Sequence, residues 1–339
     1  MAYFYFNTGN HYNLSDYDKI EVFSFGTIHR LFNLLRAKNL NLIWAHNWCP
    51  LPILILVIIF KRKDCILNYN VWSEPIPKII REKSLKAFFY RLFLSRADYI
   101  QCHWHSTFRY FENNQKFNPI MIPWGLEEDY FQLKNESVSN YTIQFVSNLD
   151  KRKYRFFFPK SINKHNRHDL IIESVKSLVQ LGTDNFVVYF WIGNHVDRRL
   201  LSDYKQRINQ LSLSEYIMII EHPFLPIQDI IHIWNNMNCA LQLLDNDQLS
   251  SSILEPMLFK KELIASDIFS YQSLNERSHL KLNLVKNELL PIVKRMYSFI
   301  QGEKTDELEL ERRKEFVIET RQFKNNIKKM LHIFSFKPR

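Results

Sequence analysis

Glycine is scarce in this chain, at 6 of 339 residues, so motifs read from glycine spacing carry little of the argument. Cysteine is scarcer still. Cys49, Cys65, Cys102 and Cys239 form no CxxC pair and no metal-ligand spacing. Scattered thiols of this kind fit packing roles in a reducing compartment rather than a disulfide framework. Met1 to Asn10 is aromatic and polar with no basic start, so no secretory signal is read and a cytoplasmic location is expected. The longest apolar run, Leu51 to Phe60, contains Pro52 and is far short of the ~20 residues that span a bilayer. It reads as a buried segment, followed by a solvated Lys61-Arg62-Lys63. There is no basic tail, no internal repeat and no low-complexity tract.

What is present points to a folded protein of about two domains. The chain is 46% hydrophobic and 15% aromatic, which argues against disorder. Its net charge is +10, which favours an anionic partner: nucleic acid, lipid headgroups or a diphosphate ligand. The charge is dispersed, with local clusters at 151–155 and 312–314, and no nucleic-acid motif accompanies it. Nucleic acid is therefore set aside as a partner. Peripheral contact with an anionic membrane on its cytoplasmic face stays open.

Periodicity gives an α/β reading. In the second half, strands are expected at Tyr141 to Ser147, Phe186 to Ile192, Tyr216 to Ile220, Cys239 to Leu244 and Glu262 to Ala265. Helices are expected over Asp169 to Leu181, Arg198 to Leu211 and Ile227 to Asn236. In the first half, strands are expected at Ile20 to Phe25, Asn41 to Trp44, Ile66 to Tyr69 and Pro119 to Pro123, and helices at Arg30 to Ala37 and Lys83 to Ser95. Only Met1 to Lys19, with the single glycine Gly9, precedes the Ile20 strand. Apolar strands alternating with helices indicate parallel sheets covered on both faces, with ligands beyond the carboxyl ends of strands. The domains are drawn at 1–131 and 141–325. A polar linker joins them at 132–140, and a tail at 326–339 is expected to return to the first domain.

Gly193, His222 to Phe224 and Asp247 all follow strands and so share one rim. The densest chemistry lies at Asp247-Gln-Leu-Ser250-Ser251-Ser252-Ile-Leu-Glu255-Pro-Met257, a loop-to-helix junction with two carboxylates around three serines. A helix N-terminus offers unpaired N–H groups and a positive dipole end, which suits a phosphate. The plainer alternative is a serine-capped surface helix. Asp245-Asn-Asp247 is the segment that a Mg²⁺ reading would use.

This segment, continued to Lys260-Lys-Glu-Leu-Ile-Ala-Ser-Asp267, resembles the Glu-x7-Glu motif of retaining glycosyltransferases of the GT-B fold, family 4. Asp stands for the first Glu, and Gln248 replaces the glycine that often follows it. Ile43-Trp-Ala-His46, Arg96-Ala-Asp98-Tyr-Ile and Met121-Ile-Pro-Trp-Gly125 resemble first-domain segments of the same family, so the likeness runs from about residue 20 to 330.

The resemblance implies two Rossmann-like domains facing a cleft. It implies transfer of a hexosyl group from a nucleoside diphosphate sugar, with retention, to a glycan or lipid-linked acceptor such as a growing lipopolysaccharide or capsule chain. No metal or other cofactor is expected. Asp247 would hold the donor sugar, Ser250 to Ser252 the diphosphate and Glu255 the ribose. Gly193, His222 and Phe224 would line the nucleotide. The cations expected at the diphosphate are Arg167, Lys164 and Lys151, because the family's arginine position is read at Asn148. His46 and Asn70 are the first-domain candidates at the reacting sugar. Asn70 stands near where the family has a histidine, with His103 and His105 as possible replacements. These departures motivate an alternative, a non-catalytic protein of the same fold.

Overall fold

The computed structural model describes residues 2–4, 21–23, 42–46, 55, 57, 59–60, 63, 65–71, 81–114, 116–132, 137–193, 196–222, 224–247 and 249–335. The expected helix at Arg30 to Ala37, Gly9 and most of the Leu51 to Phe60 run lie outside the described residues. The chain forms two compact units, one of residues 1–123 with 327–339 and one of residues 124–326.

The first unit carries a six-stranded parallel sheet. Its strands are β1 (Ala2–Phe4), β2 (Glu21–Phe23), β3 (Leu42–His46), β4 (Ile66–Val71), β5 (Tyr99–Cys102) and β6 (Pro119–Met121), in the order β2-β1-β3-β4-β5-β6. Ala2–Phe4 is a strand ahead of the first one expected from the sequence. It pairs with both β2 and β3. β4 is buried along its whole length, as a strand in the middle of a parallel sheet must be. Helices α1 (Leu85–Leu94) and α2 (His105–Glu112) flank β5. Ile66, Ile122 and Met330 form a small buried cluster of this unit.

The second unit repeats the plan. Its strands are β7 (Tyr154–Phe158), β8 (Phe186–Trp191), β9 (Ile217–Ile220), β10 (Cys239–Gln242), β11 (Glu262–Ser266) and β12 (Asn283–Val285). They are parallel in the order β12-β11-β10-β7-β8-β9. Its helices are α3 (Asn140–Ser147), α4 (His168–Gln180), α5 (Arg198–Gln210), α6 (Ile227–Asn235), α7 (Ser251–Leu258), α8 (Phe269–Ser278), α9 (Leu289–Ile300) and α10 (Glu307–Thr320), and a last helix, α11 (Phe323–Ser335), starts in this unit and continues into the first. The core is aromatic and aliphatic, with Phe156, Phe158, Phe186, Phe190, Ile171 and Ile264 fully buried.

One expected strand is a helix. Tyr141 to Ser147 lies in α3, where Thr142 and Val146 are buried one turn apart. Ser139 caps it, accepting from the Thr142 N–H, and buried Asp229 of α6 in turn accepts from the Ser139 N–H and hydroxyl at 2.8 and 2.5 Å. The unit's first strand is therefore β7, which starts at the end of the stretch read as a basic cluster. Asn148 is the C-cap of α3 and precedes the unit's first strand instead of following it.

Candidate functional site

Relative to its own six strands, the second sheet runs 3-2-1-4-5-6. Strand order reverses between β7 and β10, and in sheets of this topology ligands bind beyond the carboxyl ends at that reversal. Lys160 follows β7 and Asp247 follows β10, so both lie at this point. The Lys160 ammonium is 3.7 Å from Asp247 Oδ1 and donates to Ser250 Oγ at 2.8 Å. Asp247 Oδ2 accepts from the Ser250 N–H and hydroxyl, each at 3.1 Å, and from the Tyr271 hydroxyl at 2.7 Å. Burial and the facing Asp247 charge hold the Tyr271 pKa well above the ordinary phenol range, so the phenol stays a donor.

Backbone conformation delivers these groups. Leu249 is fully buried with φ +57°, a left-handed turn costing about 1 kcal/mol that its burial offsets. Ser250 is the N-cap of α7, yet its hydroxyl does not close on the helix. It meets Lys160, Asp247 and Ser252 instead, and the first-turn N–H groups point toward the same rim. A cation and a helix N-terminus thus converge beside a carboxylate, which suits a phosphate bearing a polar substituent.

Pro256 lies inside α7 and can give no N–H to the Ser252 carbonyl four residues back. Gln242, buried in β10, supplies that donor from its Nε2, while its Oε1 accepts the Ser252 hydroxyl at 3.1 Å. One glutamine thereby ties the middle strand to the serine turn.

Glu255 is buried at 4% exposure. Its Oε1 accepts from the Tyr130 hydroxyl and its Oε2 from the Trp234 indole, both at 2.8 Å. Burial raises its pKa, opposed by these hydrogen bonds and by Lys160. Tyr130 comes from a 3-10 turn at Glu128–Tyr130.

The loop from Lys160 to Arg167 is pinned at several points. The Asn166 amide donates to Ser161 O at 2.6 Å, and Arg167 N donates to Leu243 O at 3.1 Å. His168 sits fully buried beneath, its Nδ1 3.1 Å from Asn166 O. Gly193 has φ +65°, and a Cβ there would come within 2.2 Å of Ser161 Oγ. The glycine is what lets the loops after β7 and β8 touch.

The remaining candidates separate into groups. Arg167 is on the rim, with its guanidinium 3.3 Å from Asp169 and 3.2 Å from Asp245, so part of its charge is already met. Lys164 is exposed in the same loop. Lys151 precedes β7 and so lies at the amino ends of the strands, the opposite rim; its placement beside the serines is corrected. Ser251 and Ser252 open α7. The His222 carbonyl accepts from the Trp191 indole at 2.6 Å, and its ring lies 4.8 Å from that of Tyr141. Phe224 is exposed; Pro223 lies outside the described residues.

In the first unit, His46 ends β3 in register with Asn70 of β4, and its side chain lies outside the described residues. Asn70 is fully buried, and its Oδ1 is hydrogen-bonded to His103 Nε2, which brings one suggested replacement histidine beside it. His105 opens α2. Among the described residues, no three of His, Cys, Asp and Glu converge as a metal site, and no helix is long and apolar enough to cross a membrane.

Lys160, Gln242, Tyr271, Tyr130 and Trp234 were not among the sequence candidates. Lys160 would have emerged from reading Phe156-Phe157-Phe158-Pro159 as the first strand and its exit. The four others take part through tertiary contacts and carry no local signal.

No family model and no curated protein matches the chain by sequence. Solved structures do match it by fold, and they define a class first: the chain has the GT-B fold of glycosyltransferases built from two Rossmann-like domains. HepE of Anabaena, in complex with UDP, is similar with TM-score 0.73 at 11% identity over 93% of this chain and 86% of that one. A glycosyltransferase from Rickettsia africae is similar with TM-score 0.68 at 15% identity over 94% and 85%. A trehalose-6-phosphate protein from E. coli, bound with UDP-2-fluoro glucose, is similar with TM-score 0.71 at 10% identity over 92% and 78%.

Proposed function

We propose that this chain is a glycosyltransferase that moves a sugar from a nucleoside diphosphate sugar to an acceptor hydroxyl. The observation that carries the reading is the meeting of Lys160, Asp247 and the α7 N-terminus at the strand-order reversal of the second sheet. HepE and the E. coli protein carry UDP or a UDP sugar, which makes UDP the first nucleotide to try.

In the finer reading the enzyme is a family-4-like hexosyltransferase, acting with retention and without a metal on a glycan or lipid-linked acceptor at the cytoplasmic face of a membrane. Lys160 and the first-turn N–H groups of α7 take up the charge that grows on the diphosphate as the bond to the anomeric carbon breaks. Arg167 adds a second cation once its guanidinium swings from Asp245. Asp247 holds a donor hydroxyl by exchanging its bond to Ser250. The acceptor oxygen bonds the anomeric carbon from the side the diphosphate leaves, and its proton passes to a phosphate oxygen. Glu255 takes the ribose through the acceptor capacity its carboxylate keeps beside the Tyr130 and Trp234 donors.

Calorimetry with UDP and GDP tests the reading. One nucleotide is expected to bind with micromolar affinity, and Lys160→Ala to weaken it about tenfold or more, since a charge-assisted hydrogen bond is worth ~1.5–3 kcal/mol. No binding of either nucleotide by the wild type would remove the reading. One observation favours a second reading, binding without turnover: Glu255 already has both oxygens engaged. Nucleotide binding with neither transfer nor hydrolysis of UDP or GDP sugars would select it.

A further inference from the structure

We propose that α1 in the first unit is a docking surface for an anionic membrane. The inner face of α1 is fixed: Ala87, Tyr90, Phe93 and Leu94 are buried, the Phe93 ring packs edge-on against Tyr69 at 5.0 Å, and Ser84 caps the first turn through the Ala87 N–H. That orientation sends Leu85 and Phe88, three residues apart, to the outer face. They are 72% and 51% exposed, and Leu85 is the most exposed large apolar side chain among the described residues.

The segment that bears this ridge is rich in cations. The segment 81–96 carries Arg81, Lys83, Lys86, Arg91 and Arg96 against a single acid, Glu82. Arg81 stacks on the Tyr110 ring of α2 at 5.0 Å, and Arg91 donates to the Glu82 carbonyl at 3.2 Å, so two of the cations are held close to the helix and not trailing in solvent. A short apolar ridge set among cations is the arrangement with which an interfacial helix works. Cations draw it to anionic headgroups, and the apolar side chains enter the headgroup boundary. Two side chains are also too small a patch for a specific protein interface, which buries about 800 Å² on each partner. The inference rests on the proposed function only for its purpose, bringing the enzyme to a lipid-linked acceptor. Its test needs no nucleotide.

Flotation of the full chain with phosphatidylcholine vesicles, with and without phosphatidylglycerol, is the measurement. Binding is expected only with phosphatidylglycerol, weakening as salt is raised. The Leu85→Ser/Phe88→Ser double variant is expected to lose at least about tenfold in vesicle affinity, because each buried methylene contributes ~0.8 kcal/mol. Both positions are exposed, so its urea midpoint and its nucleotide binding should match the wild type. Absence of binding to phosphatidylglycerol vesicles by the wild type would overturn the proposal, as would undiminished binding by the double variant. A wild-type dimer that the double variant dissociates, with no vesicle binding by either, would overturn it in favour of self-association. Failure of nucleotide binding would count against the function alone.

Discussion

His168 is enclosed by the rings of Phe158, Phe190 and Tyr204, and burial pushes its imidazole down to about 4, against a weaker opposing hydrogen bond to Asn166. The unfolded chain titrates this group near 6.5, so between about 4 and 6.5 the unfolded state binds more protons. Stability contributed by neutral His168 is therefore full above pH 6.5 and lost as pH falls toward 4, by roughly 3 kcal/mol in all. The urea midpoint should drop over that window in the wild type and drop less in His168→Phe. Glu255 gives a second test at this scale. Truncation of Glu255 to alanine leaves the buried Trp234 indole without its acceptor. Glu255→Ala should cost about 2 kcal/mol in denaturant unfolding, the penalty of an unpaired buried donor. Glu255→Gln should cost far less. Its amide oxygen can accept the indole N–H, and its amide nitrogen can donate to the Tyr130 hydroxyl.

Between strand and helix, the serine turn depends on a substitution of donors. Pro256 removes the helical N–H due to Ser252 O, and Gln242 replaces it. Gln242→Leu should therefore destabilise by ~1–3 kcal/mol, leaving both the Ser252 carbonyl and hydroxyl short of a partner. In a Pro256→Ala background the helix regains its own donor, so the same change should cost measurably less. A double-mutant cycle by urea unfolding would read that coupling, and additive effects would deny the exchange. Elements of this kind also show what the sequence does and does not disclose. The strands at Phe186–Trp191, Cys239–Gln242 and Glu262–Ser266 are apolar on both faces and were legible from local pattern. Tyr141 to Ser147 reads as a strand because Tyr, Thr, Ile, Phe and Val favour one, but the Asp229 anchor on Ser139 overrides that preference from 90 residues away. That single misreading moved the first strand and hid Lys160 behind Lys151.

At the scale of the whole chain, segments 124–126 and 321–323 run side by side within the second unit. Leu126 N donates to Arg321 O at 2.7 Å and Phe323 N to Leu126 O at 2.9 Å, and a Cβ on Gly125 would come within 2.2 Å of the Arg321 carbonyl oxygen. From there α11 begins in the second unit and ends in the first, where Met330 is fully buried with Ile66 and Ile122. Helix α11 is thus part of the first unit's core, although it follows the second unit in sequence. Truncating its anchor should weaken the first unit selectively. Met330→Ala removes a side chain from a closed site, and such changes cost about 2–5 kcal/mol. Hydrogen exchange can localise the loss. Amides of β4, β5 and β6 should exchange faster by about 30-fold or more, the factor that ~2 kcal/mol of lost stability gives, while β7 to β12 keep their protection. Equal acceleration in both sheets would mean that the units unfold as one body and that α11 secures them together.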